Sequence, residues 1–142
     1  VSLLIVHAAA TWFMTGLIWF VQIVHYPLFA KVGALAFKEY EHDHQRKTTW
    51  VVAPVMLIEA AAASMLVMPV VGMADVMLAW LGLALLAVVW LSTFLVQVPL
   101  HAALERAPSR ETMDRLVLTN WVRTVAWTAR AVVAGLMLSF AR

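Results

Sequence analysis

Cysteine is absent from the 142 residues. That excludes disulfides, thiolate metal sites and thiol redox chemistry, so any metal held here takes nitrogen or oxygen ligands. Charge is also scarce: 10 Lys and Arg with 8 Asp and Glu make up 13% of a chain that is 64% hydrophobic. A chain this short cannot hide so much apolar surface in a water-soluble core. The scarcity is uneven. Residues 1–30 and 76–104 carry no charged side chain, residues 48–74 carry only Glu59, and residues 116–141 carry only Arg123 and Arg130. Each run exceeds the ~20 residues that cross ~30 Å of hydrocarbon. The first run lacks the basic start and small-residue cleavage site of a signal peptide and reads as a span.

The fold class expected is all-α: an integral membrane four-helix bundle, one domain over residues 1–142, with helices at about 2–29, 36–69, 75–104 and 110–140. Lys31 to Gly33 forms the first turn, and the polar stretch AFKEYEHDHQRK extends the second helix ahead of its apolar part. Pro54 is expected to kink that helix, because its ring cannot donate to the carbonyl one turn back. A tight hairpin is expected from Pro69 to Asp75, with Asp75 capping the third helix. Pro108 and Ser109 end the third helix and start the fourth.

The basic residues set an orientation. Lys31, Lys38, Arg46 and Lys47 flank the first connection and Arg106, Arg110 and Arg115 the third, while the hairpin between has none. The positive-inside rule places both basic connections in the cytoplasm and both termini on the non-cytoplasmic side. The net charge of +2 then reports topology. No basic patch stands apart from the membrane flanks, so no nucleic-acid partner is expected.

Polar residues form one line per helix. His7, Thr11, Gln22 and His25 share a face of the first helix, and Tyr40, His44, Thr48 and Glu59 a face of the second. Trp90, Gln97 and His101 align on the third, and Asn120, Arg123, Trp127 and Arg130 on the fourth. Lipid cannot solvate such groups, so the four lines are expected to face one another. Glu59 lies nine residues past Trp50, and Arg130 nine past Trp121. At matched depths of ~14 Å the two are natural partners. Arg123 has no acid at its own depth, and its expected neighbours are Gln22, His25, His44, Gln97, His101 and Asn120.

Three helices thus deliver a histidine to one end of the bundle. Imidazoles serve as metal ligands and as general acids or bases. His25, His44 and His101 are candidate ligands for a transition metal (iron, copper, manganese or zinc), or for haem with Arg123 facing a propionate. Gln22, Gln97 and Asn120 would orient the rings, and Arg123 would grip an anionic group. His42 reads as an interfacial anchor, His7 as a structural hydrogen bond, and Glu39, Glu41 and Asp43 as a solvated helix face. Of the seven tryptophans, only Trp90 and Trp127 are candidates for lining a pocket.

WFVQIVHYPLFAKVG, WVVAPVMLIEA, FLVQVPLH and TNWVRTVAWTAR resemble the recurring blocks of a family of small bacterial four-helix membrane proteins of unestablished function. That family is in turn distantly similar to anthrone-oxygenase-like membrane proteins, which are linked to oxidation of aromatic polyketides. The closer resemblance implies a multi-pass protein of the bacterial inner membrane and marks His25, Glu59, His101, Asn120, Arg123 and Arg130 as the family's polar positions. The distant one implies oxidation. Together these readings make the expected function a membrane-embedded, metal- or haem-dependent oxidoreductase with its histidine site at the cytoplasmic end of the bundle, acting on a small hydrophobic substrate, neutral or anionic. In that reading His25, His44, His101 and Arg123 bind the cofactor, and Arg123, Asn120, Glu59 and Arg130 act in catalysis. Two other classes stay open: an ancillary subunit of a larger membrane complex, and a small carrier using Glu59 and Arg130 with His7, which with so few helices would need to form a homo-oligomer. Membrane lipid is a partner in every case.

Overall fold

A computed structural model of the chain describes residues 2–69 and 75–141. The described residues form four long helices: α1 (Ser2–Lys31), α2 (Ala34–Leu66), α3 (Val76–Arg106) and α4 (Arg110–Ser139). Gly33 leads into α2, whose polar first turns continue without interruption through Pro54 into the apolar part. Asp75 caps α3 by accepting from the backbone N–H groups of Met77 and Leu78 at 2.9 and 3.1 Å. Ser109 caps α4 by accepting from Thr112 N–H. Most of the expected Pro69 to Asp75 hairpin lies outside the described residues.

Helices α1, α2 and α3 are long and apolar enough to cross a membrane. Helix α4 is as long, but its apolar stretch is interrupted by Arg123, Arg130, Asn120 and three threonines, so hydropathy alone does not mark it as a span. Asn120, Arg123, Thr124 and Arg130 are buried in the interior. Arg130 and Asn120 are 1% and 0% exposed, whereas Ile5, Phe20, Leu57, Phe94, Leu95 and Val125 lie on the outer surface. A contiguous apolar exterior around a polar interior is the arrangement that hydrocarbon surroundings favour.

Two turns depart from α geometry. Tyr26 N–H bonds Val21 O and Val98 N–H bonds Thr93 O, each five residues back, so Val21–His25 and Thr93–Gln97 are single π-helical turns. Pro27 and Pro99 lie two residues beyond them. A proline leaves a carbonyl of the preceding turn without its donor, and widening that turn by one residue accommodates the ring. The widening also shifts the register. His25 was expected to continue the inner line of α1; with one residue added, Tyr26 takes that place at 5% exposure, and His25 is half-buried at the α1–α2 seam.

Candidate functional site

Two polar clusters occupy the interior. In the first, Glu59 and Arg130 are joined at 2.9 Å, as their matched depths predict. Every helix contributes to this cluster. Thr11 of α1 donates to Glu59 Oε1 at 2.8 Å, and Trp127 of α4 donates to Oε2 at 3.1 Å. Arg130 also donates to the Gly82 carbonyl of α3 and lies 3.4 Å from His7 Nε2. Trp127 therefore braces Glu59 rather than lining a pocket, and His7 belongs to this structural group.

The second cluster is built around Arg123. Gln22, placed by the first π turn, donates to Val117 O at 3.1 Å, which turns its Oε1 toward Asn120 Nδ2 at 2.8 Å. The Asn120 oxygen is thereby aimed at Arg123 and accepts from Nε and Nη2 at 2.8 and 2.6 Å. Arg123 further donates to Thr93 Oγ1 and the Tyr26 hydroxyl, each at 3.3 Å. Four of its five N–H groups are thus engaged, all by neutral partners, and one on Nη1 remains. Among the described residues Arg123 makes no ion pair. Its positive charge is held by oriented dipoles.

From Arg123 the hydrogen bonds run on in one direction. The Tyr26 hydroxyl lies 2.9 Å from His101 Nε2, and His101 Nδ1 lies 2.5 Å from Glu41 Oε1. Tyr26 accepts from Arg123, so its own proton goes to Nε2. His101 then carries its proton on Nδ1 and gives it to Glu41. The chain Arg123–Tyr26–His101–Glu41 places a cation at one end and a carboxylate at the other.

Glu41 corrects an expectation. The sequence placed it on a solvated face, yet it is 0% exposed, whereas Glu39 is exposed and Asp43 pairs with Arg46 and Lys47. Glu41 lies one turn after the buried Phe37 and three residues before His44, on the face that α2 turns toward His101. That spacing was the available signal. Tyr26, the other residue the sequence reading passed over, is signalled only by Pro27 and the register shift it brings.

The three histidines do gather. Phe29, fully buried, packs edge-on against His25 and His44 at 5.2 and 5.1 Å, and the His44 and His101 rings lie 5.2 Å apart. Their nitrogens are engaged differently from what a three-imidazole centre needs. His25 Nε2 faces His44 Nδ1 at 2.9 Å, Thr48 Oγ1 shares that His44 nitrogen at 3.1 Å, and both nitrogens of His101 have partners. Among the described residues no three His, Asp or Glu side chains are arranged to hold a metal ion. A shared metal would need the His25–His44 bond to open and Tyr26 to leave His101. His42, at the surface, bonds Glu105 at 3.1 Å, as an anchor does.

A cavity of about 400 Å³ opens between α2 and α3, and its polar lining includes Tyr26, His44, Gln97, His101 and Arg123 together with Gln45, Thr48, Thr49 and Thr93. Val52, Met56, Leu57, Trp90, Phe94 and Val98 line the rest. Leu57, Phe94 and Val98 are also exposed on the outer, apolar surface. His25 does not line this cavity. Compared with family models, with curated proteins and with solved structures, the chain matches none.

Proposed function

We propose that this chain is a four-span membrane enzyme that takes a small hydrophobic acid from the bilayer into the α2–α3 cavity, ionises it and holds the anion on Arg123. The single observation that carries the reading is the directional chain Arg123–Tyr26–His101–Glu41 beside an apolar cavity. A neutral acid entering the cavity gives its proton to the Tyr26 oxygen as Tyr26 passes its own to His101 Nε2. The imidazolium so formed stands against Glu41, and the new anion against the spare N–H of Arg123. Each charge created inside the bundle meets an opposite charge already in place, which is how buried sites make proton transfer affordable. On the positive-inside rule we assign the site to the cytoplasmic end of the bundle and both termini to the other side.

One observation favours a second reading, a metal- or haem-dependent oxidoreductase. Glu41 stands behind His101 Nδ1 as carboxylates stand behind metal-bound imidazoles, with His25 and His44 close by. Those three would hold the group, and it would supply the redox chemistry.

The test is a spectroscopic titration of detergent-purified protein with an alkylated nitrophenol, whose anion is yellow. Wild type should bind the dye as its anion at a pH where the free dye is protonated, and Arg123→Gln should lose the yellow species. Dye bound in its neutral form by the wild type overturns the reading. Elemental analysis and an absorption spectrum of the same preparation separate the two readings: a stoichiometric metal or a haem band favours the second.

A further inference from the structure

The relay that takes a proton from the α2–α3 cavity ends blind. Glu41 Oε1 is bonded to His101, and Glu41 Oε2 is buried, closed to water and without a partner among the described residues. A proton set on His101 therefore goes no further along that chain. Toward the helix ends, Gln45 donates across the gap between α2 and α3 to Glu105 at 3.2 Å. Among the described residues the one other imidazole lining the cavity is His44, its ring 5.2 Å from that of His101.

His44 lines a second space as well. A pocket of about 490 Å³ lies where His25 of α1 meets the polar first turns of α2, and Glu39, Tyr40, Asp43 and Lys47 line it with His25. Glu39 and Lys47 are exposed, so this outer pocket meets water. His44 and Thr48 are common to the two spaces and form the wall between them. Across that wall His44 Nδ1 lies 2.9 Å from His25 Nε2, and Thr48 Oγ1 lies 3.1 Å from the same His44 nitrogen. A proton on His44 Nδ1 serves both neighbours as acceptors, whereas a bare Nδ1 has one lone pair to offer. His44 thus keeps its other lone pair on Nε2, and His25, accepting on Nε2, carries its proton on Nδ1. Neither His44 Nε2 nor His25 Nδ1 has a partner among the described residues, and neither is closed to water.

From this, resting on the reading above, we infer that His44 and His25 are the proton exit of the cavity. The proton left on His101 crosses cavity water to His44 Nε2, the Nδ1 proton of His44 moves to His25 Nε2, and His25 releases its Nδ1 proton to the outer pocket. One proton enters and one leaves. Both imidazoles end neutral with their hydrogens on the opposite nitrogens, and a flip of each ring restores the start. His101 is then free to take the proton of the next acid.

The experiment is a stopped-flow jump from about pH 6 to about pH 8 on detergent-purified protein that already holds the nitrophenol dye as its anion. A pH indicator in the bulk reads proton release, with free dye and dye-free protein as controls. Wild type should release about one proton per bound dye beyond the controls, and faster than the dye dissociates. His25→Ala should release it at least about tenfold more slowly. Free imidazole should enter the outer pocket and restore the rate, and pyrazole, of the same shape but too weakly basic to carry a proton, should not. Release from His25→Ala at the wild-type rate would mean that the proton leaves past Gln45, and overturns the inference. Equal effects of imidazole and pyrazole also overturn it, because they give His25 a packing role. Dye held as its anion by wild type with no extra proton released overturns it too, and leaves the anion site of the reading above intact. Should His25→Ala not fold, His25→Gln, which keeps a polar partner for His44 and carries no proton, is read in its place: slowed release supports the exit, and a wild-type rate overturns it.

Discussion

Glu41 and His101, sixty residues apart, share a 2.5 Å hydrogen bond in the interior of the bundle. Through Tyr26 the same bond ties Glu41 to Arg123, so the arginine that has no acid at its own depth has one at two removes. Glu41→Gln keeps the shape and removes the charge that balances a protonated His101. In the dye titration it should bind the neutral form and lose the yellow species, while Glu39→Gln, on the exposed side of the same helix, should behave as wild type. Equal behaviour of the two variants would contradict the role given to Glu41.

Tyr26→Phe tests the relay itself. It removes one hydroxyl from between Arg123 and His101 and leaves the ring packed against Phe29. A destabilisation of about 1–3 kcal/mol is expected for the stranded partners, together with slower ionisation of bound dye in a stopped-flow trace. An unchanged rate would mean that the proton reaches His101 without Tyr26.

The Glu59–Arg130 pair is fully buried, so removing one partner leaves an uncompensated charge at a cost of ~3–5 kcal/mol. Glu59→Gln and Arg130→Met should each lower the melting temperature in detergent more than the double variant does. Simple additivity of the two effects would show that the residues do not act as a pair.

Arg123 meets Asn120 through two N–H groups, Nε and Nη2, and Tyr26 and Thr93 through others. Lysine carries the charge without that fork of donors. Arg123→Lys should therefore fold, with a modestly lowered melting temperature, and bind the dye anion at least tenfold more weakly. Full retention of binding would reduce Arg123 to an anchor that snorkels toward water.

Much of this architecture can be read from the sequence, because a hydrocarbon surrounding forces polar residues onto inward faces. His7, Thr11, Gln22, Glu59, Gln97, His101, Asn120, Arg123 and Arg130 are all buried where their helical spacing puts them. The reading fails where the environment stops being hydrocarbon. In EHDHQRK every residue is polar, so burial leaves no contrast, and Glu41 is hidden among its solvated neighbours. It fails again at the π turns, where one added residue moves Tyr26 into the position that a regular helix gives His25. The side of the membrane on which each end lies is a separate question. Single cysteines placed at Gly72 and Ser109 should label from opposite sides, and labelling from one side would dismantle the four-span arrangement.

The most direct test of the central claim is a crystal structure of the protein with a brominated alkyl nitrophenol, located by the anomalous signal of its bromine. The account predicts one bromine peak between α2 and α3, with the phenolate oxygen within hydrogen-bond distance of Arg123 Nη1 and the alkyl tail toward Leu57 and Phe94. A peak confined to the outer surface, or a dye seated in the cavity with its oxygen turned away from Arg123, would contradict it.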